Sequence, residues 1–242
     1  MLKKMISFLV FILISVTCNY SFGKVRNLSS MEISTHSGDS LQVELLIIDP
    51  QGNKTGFDPS VNAIVEQIPN SGWGVDDFPG IPPTRFVGIG EPKGGIYKVE
   101  IIGINRTTTY TFGIRMADST GNFHQPVFNG ITSLGIISIY TITYDPTPGI
   151  TPKVERVVTT EDLKNDINIA FDLGLIDNAG IKQSLLAKLD VAENSIKRGQ
   201  KQAAINQLNA FINEVNAQKG KHIKDEAFKI FLEDAQYIME HL

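Results

Sequence analysis

Ser40 lies in the segment Gly38-Asp39-Ser40-Leu41, where its hydroxyl could serve as a nucleophile if a base were positioned to activate it. The base expected in such a site is a histidine with an aspartate three residues before it. The sequence has four histidines, and none of them has an aspartate at that spacing: His36, His124, His222 and His241. Because a serine hydroxyl without a base is a weak nucleophile, we interpret the segment as a turn that leads into a strand.

Oxygen-bearing side chains occur in two segments that could contribute ligands to a calcium ion. One contains Asp49, Asn53 and Asp58, and the other contains Asp76 and Asp77. The same residue types are common turn formers, and neither segment has the spacing of a dedicated calcium loop. The sequence also contains no H-E-x-x-H zinc motif. We therefore predict no metal ion and no other cofactor.

Trp73 is the only tryptophan, and it lies between two glycines in residues 72–83, a stretch rich in glycine and proline. This composition predicts a long loop. An exposed tryptophan in a loop could stack on a sugar or anchor a protein partner. A loop tryptophan more often folds back to cover the edge of a core, and both interpretations stay open.

The amino-terminal residues have the pattern of a secretory signal peptide, residues 1–23. Lys3 and Lys4 precede a mostly apolar run of twelve residues, 5–16, and Ser21-Phe22-Gly23 fits a signal-peptidase site. We predict cleavage after residue 23 and a secreted, periplasmic or cell-envelope location. The run is shorter than the roughly 20 residues that a spanning helix needs, so we expect no transmembrane segment in the mature chain.

Cys18 is the only cysteine among the 242 residues and lies inside the predicted signal peptide. Lipid attachment at Cys18 is the alternative to cleavage after residue 23. The residues before Cys18 fit a lipoprotein signal poorly, so we favour cleavage. The mature chain then has no cysteine, which excludes disulfides and thiolate sites. The formal net charge of −4 gives no electrostatic reason for binding nucleic acid.

Residues 24–144 are predicted to form a β-sandwich domain. Apolar residues alternate with polar residues at period two, for example at Tyr97, Val99 and Ile101. Turn-forming segments separate these runs, and no helical stretch intervenes to connect parallel strands. Residues 145–158 contain three prolines and are predicted to be a linker, so we expect few contacts between the domains that it joins.

Residues 159–242 have the apolar period of four amphipathic helices joined by short connections. Thr159 and Asp162 have the spacing of a capping box at the start of the first helix. Phe211 lies on the apolar face of the third helix and is predicted to be a core residue. The predicted fold class is an all-β sandwich domain followed by a separate all-α four-helix bundle.

Small and apolar residues recur through the helical region in a characteristic order: Gly174-Leu175-Ile176, Ser184-Leu185, Leu189, Ala192, Gly199, Ala203-Ala204, Leu208, Ala210-Phe211-Ile212, Val215 and Gly220-Lys221-His222-Ile223. This set resembles the FIMAH domain family over roughly residues 160–242, about a third of the chain. The resemblance implies a non-catalytic helical module of a secreted bacterial protein. It also implies a role in protein–protein association.

The fourth helix carries the predicted partner surface. One apolar stripe on this helix is sufficient to face a core, and a second stripe is formed by Phe228, Leu232 and Met239. Either the helix contacts two neighbours within the bundle, which we favour, or the second stripe is exposed and docks a partner. The candidate partner-binding residues are therefore Phe228, Leu232, Met239 and Trp73.

Three hypotheses of function follow from the sequence. The first is an exported, non-catalytic adaptor that binds another exported or cell-surface protein through its C-terminal helical module. The second is a carbohydrate-binding accessory protein that uses the sandwich loops around Trp73. The third is an enzyme, which we do not favour because the constellations of base and metal ligands are missing.

Overall fold

The structure is a computed structural model and describes residues 27–38, 40–77 and 82–242. The predicted signal peptide and Cys18 lie outside the described residues. Within the described part of the chain, twelve strands come first and four helices follow. The predicted fold class, a β-sandwich followed by a helical bundle, is confirmed.

Six strands form the first sheet, sheet A, and all neighbouring strands in it are antiparallel. They are β1 (Ser30–His36), β5 (Ser71–Asp76), β6 (Thr84–Gly90), β8 (Thr108–Ala117), β9 (Phe123–His124) and β10 (Val127–Thr132). Their order is β10-β8-β1-β6-β5, and the short β9 pairs with β8. Strand β1 is therefore central. Its side chains on the outer face of the sheet, away from sheet B, lie between those of β8 and β6.

Six other strands form sheet B, which is also antiparallel. They are β2 (Val43–Ile48), β3 (Lys54–Asp58), β4 (Ala63–Glu66), β7 (Gly95–Gly103), β11 (Ile137–Tyr144) and β12 (Lys153–Val157). Their order is β12-β11-β7-β2-β3-β4, so β12 is an edge strand.

The two sheets pack face to face, and β1, β8 and β11 bury alternate residues toward the opposite sheet. On β8, Tyr110, Phe112 and Ile114 are buried, whereas the residues between them are partly exposed. The hydroxyl oxygens of Tyr110 and Tyr140 lie 3.1 Å apart in the interior. Each of these buried phenols therefore has a hydrogen-bond partner.

The bundle consists of α1 (Thr160–Asp172), α2 (Ala179–Lys197), α3 (Lys201–Gln218) and α4 (Asp225–Glu240). Helix α1 begins with the expected capping box, in which Thr159 and Asp162 each accept a hydrogen bond from the other's backbone N–H. Phe211 is buried as predicted and packs against Phe231, with ring centroids 6.4 Å apart. None of the helices in the described residues is long and apolar enough to span a membrane.

The junction between the domains differs from the predicted linker. Residues 153–157 form β12, which pairs with β11, so the linker is shorter than the predicted 145–158. The prolines precede this strand, and an edge strand needs ladder hydrogen bonds on one side only. Ile131 of β10 and Val158 share a buried apolar cluster with residues of all four helices. The expectation of few contacts between the domains is therefore wrong.

Candidate functional site

Ser40 lies in the turn between β1 and β2, as predicted, and is exposed. Its hydroxyl oxygen accepts a hydrogen bond from the side-chain amide of Gln42 at 2.5 Å. A carboxamide cannot take up the proton of a serine hydroxyl, so this contact does not activate Ser40 as a nucleophile. Asp39 lies outside the described residues.

Trp73 lies on β5 rather than in a loop, because residues 71–76 pair with β6. The predicted loop at 72–83 is thus wrong in its first part, where an edge strand tolerates the two glycines beside Trp73. The indole is half-buried against the sandwich core, and the guanidinium of Arg85 lies 4.8 Å from the ring centroid. Arg85 also donates a hydrogen bond to Glu44 of β2. Trp73 therefore covers the edge of the core.

The second apolar stripe of α4 is largely covered. Phe228 is only 9% exposed, and the ammonium nitrogen of Lys219 lies 4.2 Å from its ring centroid. Leu232 and Met239 are half-buried against the bundle core. Helix α4 contacts α1, α3, β10 and β12, so its wide apolar arc faces several neighbours. Phe228, Leu232 and Met239 therefore do not form an exposed stripe on which a partner could dock.

Helix α3 has an exposed face that the sequence analysis missed. Eight residues of α3 are exposed, and only Lys201 at its first position is charged; the other seven are Gln202, Ala203, Asn206, Asn209, Asn213, Asn216 and Ala217. On α4, by contrast, five of the six exposed residues are charged: Asp225, Glu226, Lys229, Glu233 and Glu240, with Gln236 the exception. The sequence signal that indicates this face is the recurrence of asparagine at helical spacing. We call these seven residues the α3 amide face.

A buried ionic cluster holds the bundle against the sandwich. Arg156 of β12 donates one hydrogen bond to Asp166 of α1 at 2.7 Å and another to Asp234 of α4 at 2.5 Å. Asp166 and Asp234 are 1% and 2% exposed. One guanidinium therefore joins an edge strand of sheet B to two helices of the bundle.

The two carboxyl groups of this cluster share a single guanidinium. Burial raises the pKa of Asp234 well above its ordinary value, and the neighbouring Asp166 raises it further although Arg156 opposes both effects. Burial also raises the pKa of Asp166, again against the effect of Arg156. We therefore expect the pair to retain a proton at a pH at which exposed aspartates are ionised.

The raised pKa of Asp234 predicts a specific dependence of stability on pH. A carboxyl whose folded-state pKa is raised contributes stability fully below its unfolded-state pKa, about 3.9, and this contribution is lost as pH rises through the folded-state value. Asp234→Asn mimics the protonated form, so its free energy of unfolding, relative to wild type, should increase as pH rises above about 4. Urea unfolding followed by circular dichroism at each pH measures this difference.

Asp172→Asn, at an exposed position of α1, is the matched control. Its free energy of unfolding should follow the wild-type curve across the same pH range. A constant difference between Asp234→Asn and wild type at every pH would contradict a raised pKa for Asp234.

A concavity of about 270 Å³ lies on the outer face of sheet A, and we call it the sheet A trough. Its lining includes Glu32, Ser34, His36, Asp76, Phe86 and Arg115. The strand register places these side chains in adjacent rows across four strands: Arg115-Glu32-Gly88-Gly72, Gly113-Ser34-Phe86-Gly74 and Thr111-His36-Thr84-Asp76. The trough therefore combines carboxylates, hydroxyls, a cation and an aromatic ring.

Two carboxyl groups in the trough are partly withdrawn from water. Burial raises the pKa of Glu32, the guanidinium of Arg115 opposes this increase, and Asp76 adds to it. Burial also raises the pKa of Asp76.

Of the two segments considered as calcium ligands, the one with Asp49, Asn53 and Asp58 forms turns, and Asp76 of the other lies on β5. The carboxylate of Asp49 accepts hydrogen bonds from the backbone N–H groups of Gln51 and Asn53, and Asp58 accepts one from Ser60. Among the described residues, no group of three or more histidine, cysteine, aspartate or glutamate side chains is arranged to hold a metal ion.

The motif residues of the helical region shape one end of the bundle. Gly174 and Gly220 end α1 and α3 with φ angles of 66° and 69°, which residues with a side chain rarely adopt. The loops that they begin meet in a bridge between Ile176 and Ile223. The ring nitrogen Nδ1 of His222 also lies 2.7 Å from the carboxylate of Asp177. This part of the motif therefore fixes how the two helical hairpins join.

Residues 160–240 match the family model of the FIMAH domain. The match begins at the first residue of α1 and ends at the last residue of α4, so it covers the whole bundle. The resemblance inferred from the sequence is confirmed for this C-terminal region. No curated protein matches the chain. The family match favours a non-enzymatic, adaptor-like role for the bundle.

Proposed function

We propose that this protein is an exported, non-catalytic adaptor, and that its helical module binds another exported or cell-surface protein through the α3 amide face. The FIMAH match favours an adaptor-like role for the module. The observation that carries the choice of surface is the α3 amide face, whose seven exposed residues carry no charge. The hypothesis that sandwich loops around Trp73 bind carbohydrate loses its main support, because Trp73 lies on β5 with its ring against the core.

The location of α3 favours its use as a binding surface. Helices α1 and α4 make the principal contacts with the sandwich, through β10 and β12. At 100° per residue, Gln202, Asn206, Asn209, Asn213 and Asn216 fall within an arc of roughly 80°. These five amide side chains therefore present one continuous strip along the helix.

The composition of the strip is not explained by helix stability. Asparagine is a poor helix former, and exposed helix positions are more favourably occupied by lysine, glutamate, arginine or alanine. The centres of protein interfaces are depleted in charged residues, whose desolvation is costly. Short amide side chains also lose less conformational entropy than lysine or glutamate when a partner covers them.

Arginine substitutions on α3 test this proposal. Asn209→Arg and Asn213→Arg, made separately, should each reduce partner capture at least about tenfold, because each places a long, strongly hydrated charge inside the interface. The melting temperature should change little, since both positions are exposed. Immobilised full chain is incubated with envelope and culture-medium proteins of the source organism, and bound proteins are quantified by mass spectrometry.

Gln236→Arg is the matched control, because it makes a similar change at an exposed position of the already charged face of α4. It should capture the same proteins as wild type in the same amounts. Equal capture by wild type and both α3 variants would contradict the assignment of the interface to α3.

A further inference from the structure

We propose that the outer edge of β4 pairs with the same edge of a second copy of this chain. The two copies of sheet B then continue into one antiparallel sheet across a two-fold axis. This contact is separate from the adaptor function, because β4 lies in the sandwich and the α3 amide face lies on the bundle. A dimer paired in this way carries two α3 amide faces, so it can bind at two points.

The first observation is that β4 is the open edge of the sandwich. The other edge strands are β10 and β5 of sheet A and β12 of sheet B. The bundle lies against β10 and β12. The edge of β5 is closed by Glu66, whose carboxylate accepts a hydrogen bond from the backbone N–H of Trp73. In the described part of the chain, β4 pairs with β3 only, and no strand adjoins its other side.

The second observation is the direction of the backbone groups on β4. Gln67, the residue after β4, donates its backbone N–H to the carbonyl oxygen of Lys54 at 2.7 Å, so residue 67 points its backbone toward the preceding strand of the hairpin. Backbone groups alternate in direction along an antiparallel strand. The N–H and C=O groups of Ile64 and Glu66 therefore point away from β3. Such a row of donors and acceptors is the template that another strand matches.

The third observation is that this edge lacks the usual protection against pairing. Natural proteins protect an open edge with lysine, proline or a bulge. Residues 61–65 contain no charged residue and no proline, and the register of β3 with β4 is regular over all four pairs. Val61 and Ile64 are 62% and 40% exposed. A strand added at this edge therefore also covers apolar surface.

The register identifies a second copy of the chain as the strand that fits. When Val65 lies on the two-fold axis, Ile64 of each copy lies opposite Glu66 of the other. Both of these pairs can exchange backbone hydrogen bonds in the two directions, because all four residues point their backbone groups outward. No like charges lie directly opposite each other, since each glutamate faces an isoleucine. Both copies use the same edge, so the assembly closes as a dimer.

Sedimentation equilibrium of the purified full chain measures the association. Because β4 has only four residues, the contact is smaller than a standard interface, and we expect a dissociation constant between about 10 µM and 1 mM. Ile64→Pro removes an outward N–H and should weaken association at least about tenfold. It should fold, because proline is tolerated on an edge strand where the N–H faces solvent. Ile64→Val keeps the N–H and is the matched control, with association close to that of wild type.

Charge changes at Val65 test the two-fold axis independently of the proline variant. Val65→Lys and Val65→Glu each place two like charges directly opposite across the axis, so each variant alone should be monomeric. An equimolar mixture of the two places opposite charges there and should restore dimers that contain one copy of each. Circular dichroism of each variant reports whether the fold is retained.

Cysteine substitutions locate the axis in a chain that also carries Cys18→Ser. Two copies of Val65 face each other in a non-hydrogen-bonded pair, with Cα atoms about 4.5 Å apart, which a disulfide can span. Val65→Cys should therefore form a disulfide-linked dimer under mild oxidation. Ala63→Cys is the matched control, because it is more exposed than Val65 on the same strand. The register separates its two copies by roughly 13 Å along the strands, so it should not be linked.

Four results would overturn the proposal. They are a wild-type chain that stays monomeric up to about 1 mM, assemblies larger than a dimer, equal disulfide linkage at Ala63 and Val65, and unchanged association of an Ile64→Pro variant with native circular dichroism. Failure of the Val65→Lys and Val65→Glu mixture to dimerise, with both variants folded, would also overturn it. None of these results bears on partner capture through α3.

Discussion

Replacing Arg156 with alanine is expected to lower the free energy of unfolding by about 3 to 5 kcal/mol. The substitution leaves Asp166 and Asp234 buried together without the guanidinium that donates a hydrogen bond to each of them. Removing one partner of a buried ionic cluster costs more than the cluster's net contribution, because the remaining groups cannot regain their hydration. Urea unfolding followed by circular dichroism measures the change.

Arg106→Ala is the control for this substitution, since Arg106 is exposed in the connection between β7 and β8. We expect its free energy of unfolding to differ from wild type by less than about 0.5 kcal/mol. If Arg156→Ala also cost less than about 1 kcal/mol, the ionic cluster would not hold the domains together as described.

Phe211→Ala should destabilise the bundle by about 3 to 5 kcal/mol, because it leaves a cavity in a core that relaxes only partly. The side chain is 0% exposed and packs against Phe231 of α4. The two rings join α3 to α4, so we expect the loss to appear in the helical signal at 222 nm, which reports mainly on helices. Thermal and urea unfolding of the full chain measure it.

Val191→Ala removes apolar atoms from α2 at a position that is 48% exposed, and it should cost less than about 1 kcal/mol. A similar small loss for Phe211→Ala would show that α3 does not pack against α4 in the way described. Because the domains share an apolar cluster, unfolding of the sandwich should shift together with that of the bundle.

Local patterns were sufficient to predict the two domains. Alternation at residues such as Tyr97, Val99 and Ile101 reflects a strand with one buried face, and this depends only on nearby residues. The capping box at Thr159 and the burial of Phe211 follow from helical spacing in the same way. The FIMAH resemblance likewise rests on residues whose spacing sets helix ends and helix contacts.

Long-range pairing could not be predicted from these patterns. Arg156 meets Asp166 and Asp234 across sequence separations of 10 and 78 residues, and no local period indicates such a contact. The trough depends on the register of β1 with β6 and β8, which sets Ser34 beside Phe86 and Glu32 beside Arg115. Strand β12 was missed because three nearby prolines outweighed the short strand-forming run that follows them.

The second stripe of α4 illustrates the same limit. An apolar arc gives the width of the buried surface but not the identity of the elements that cover it. Phe228 and Leu232 face neighbours within the protein because α4 contacts the sandwich as well as α1 and α3. The open surface is instead on α3, where asparagine replaces charged residues without changing the apolar period.

The central claim, that the helical module binds its partner through α3, is tested most directly by amide hydrogen exchange on the captured complex. The full chain is compared with and without the partner that it captures, and deuterium uptake is followed by mass spectrometry. We predict that partner binding slows exchange in α3, Lys201–Gln218, while α4 and the outer face of sheet A are unchanged. Slower exchange confined to α4 or to the sandwich, with α3 unchanged, would contradict the claim.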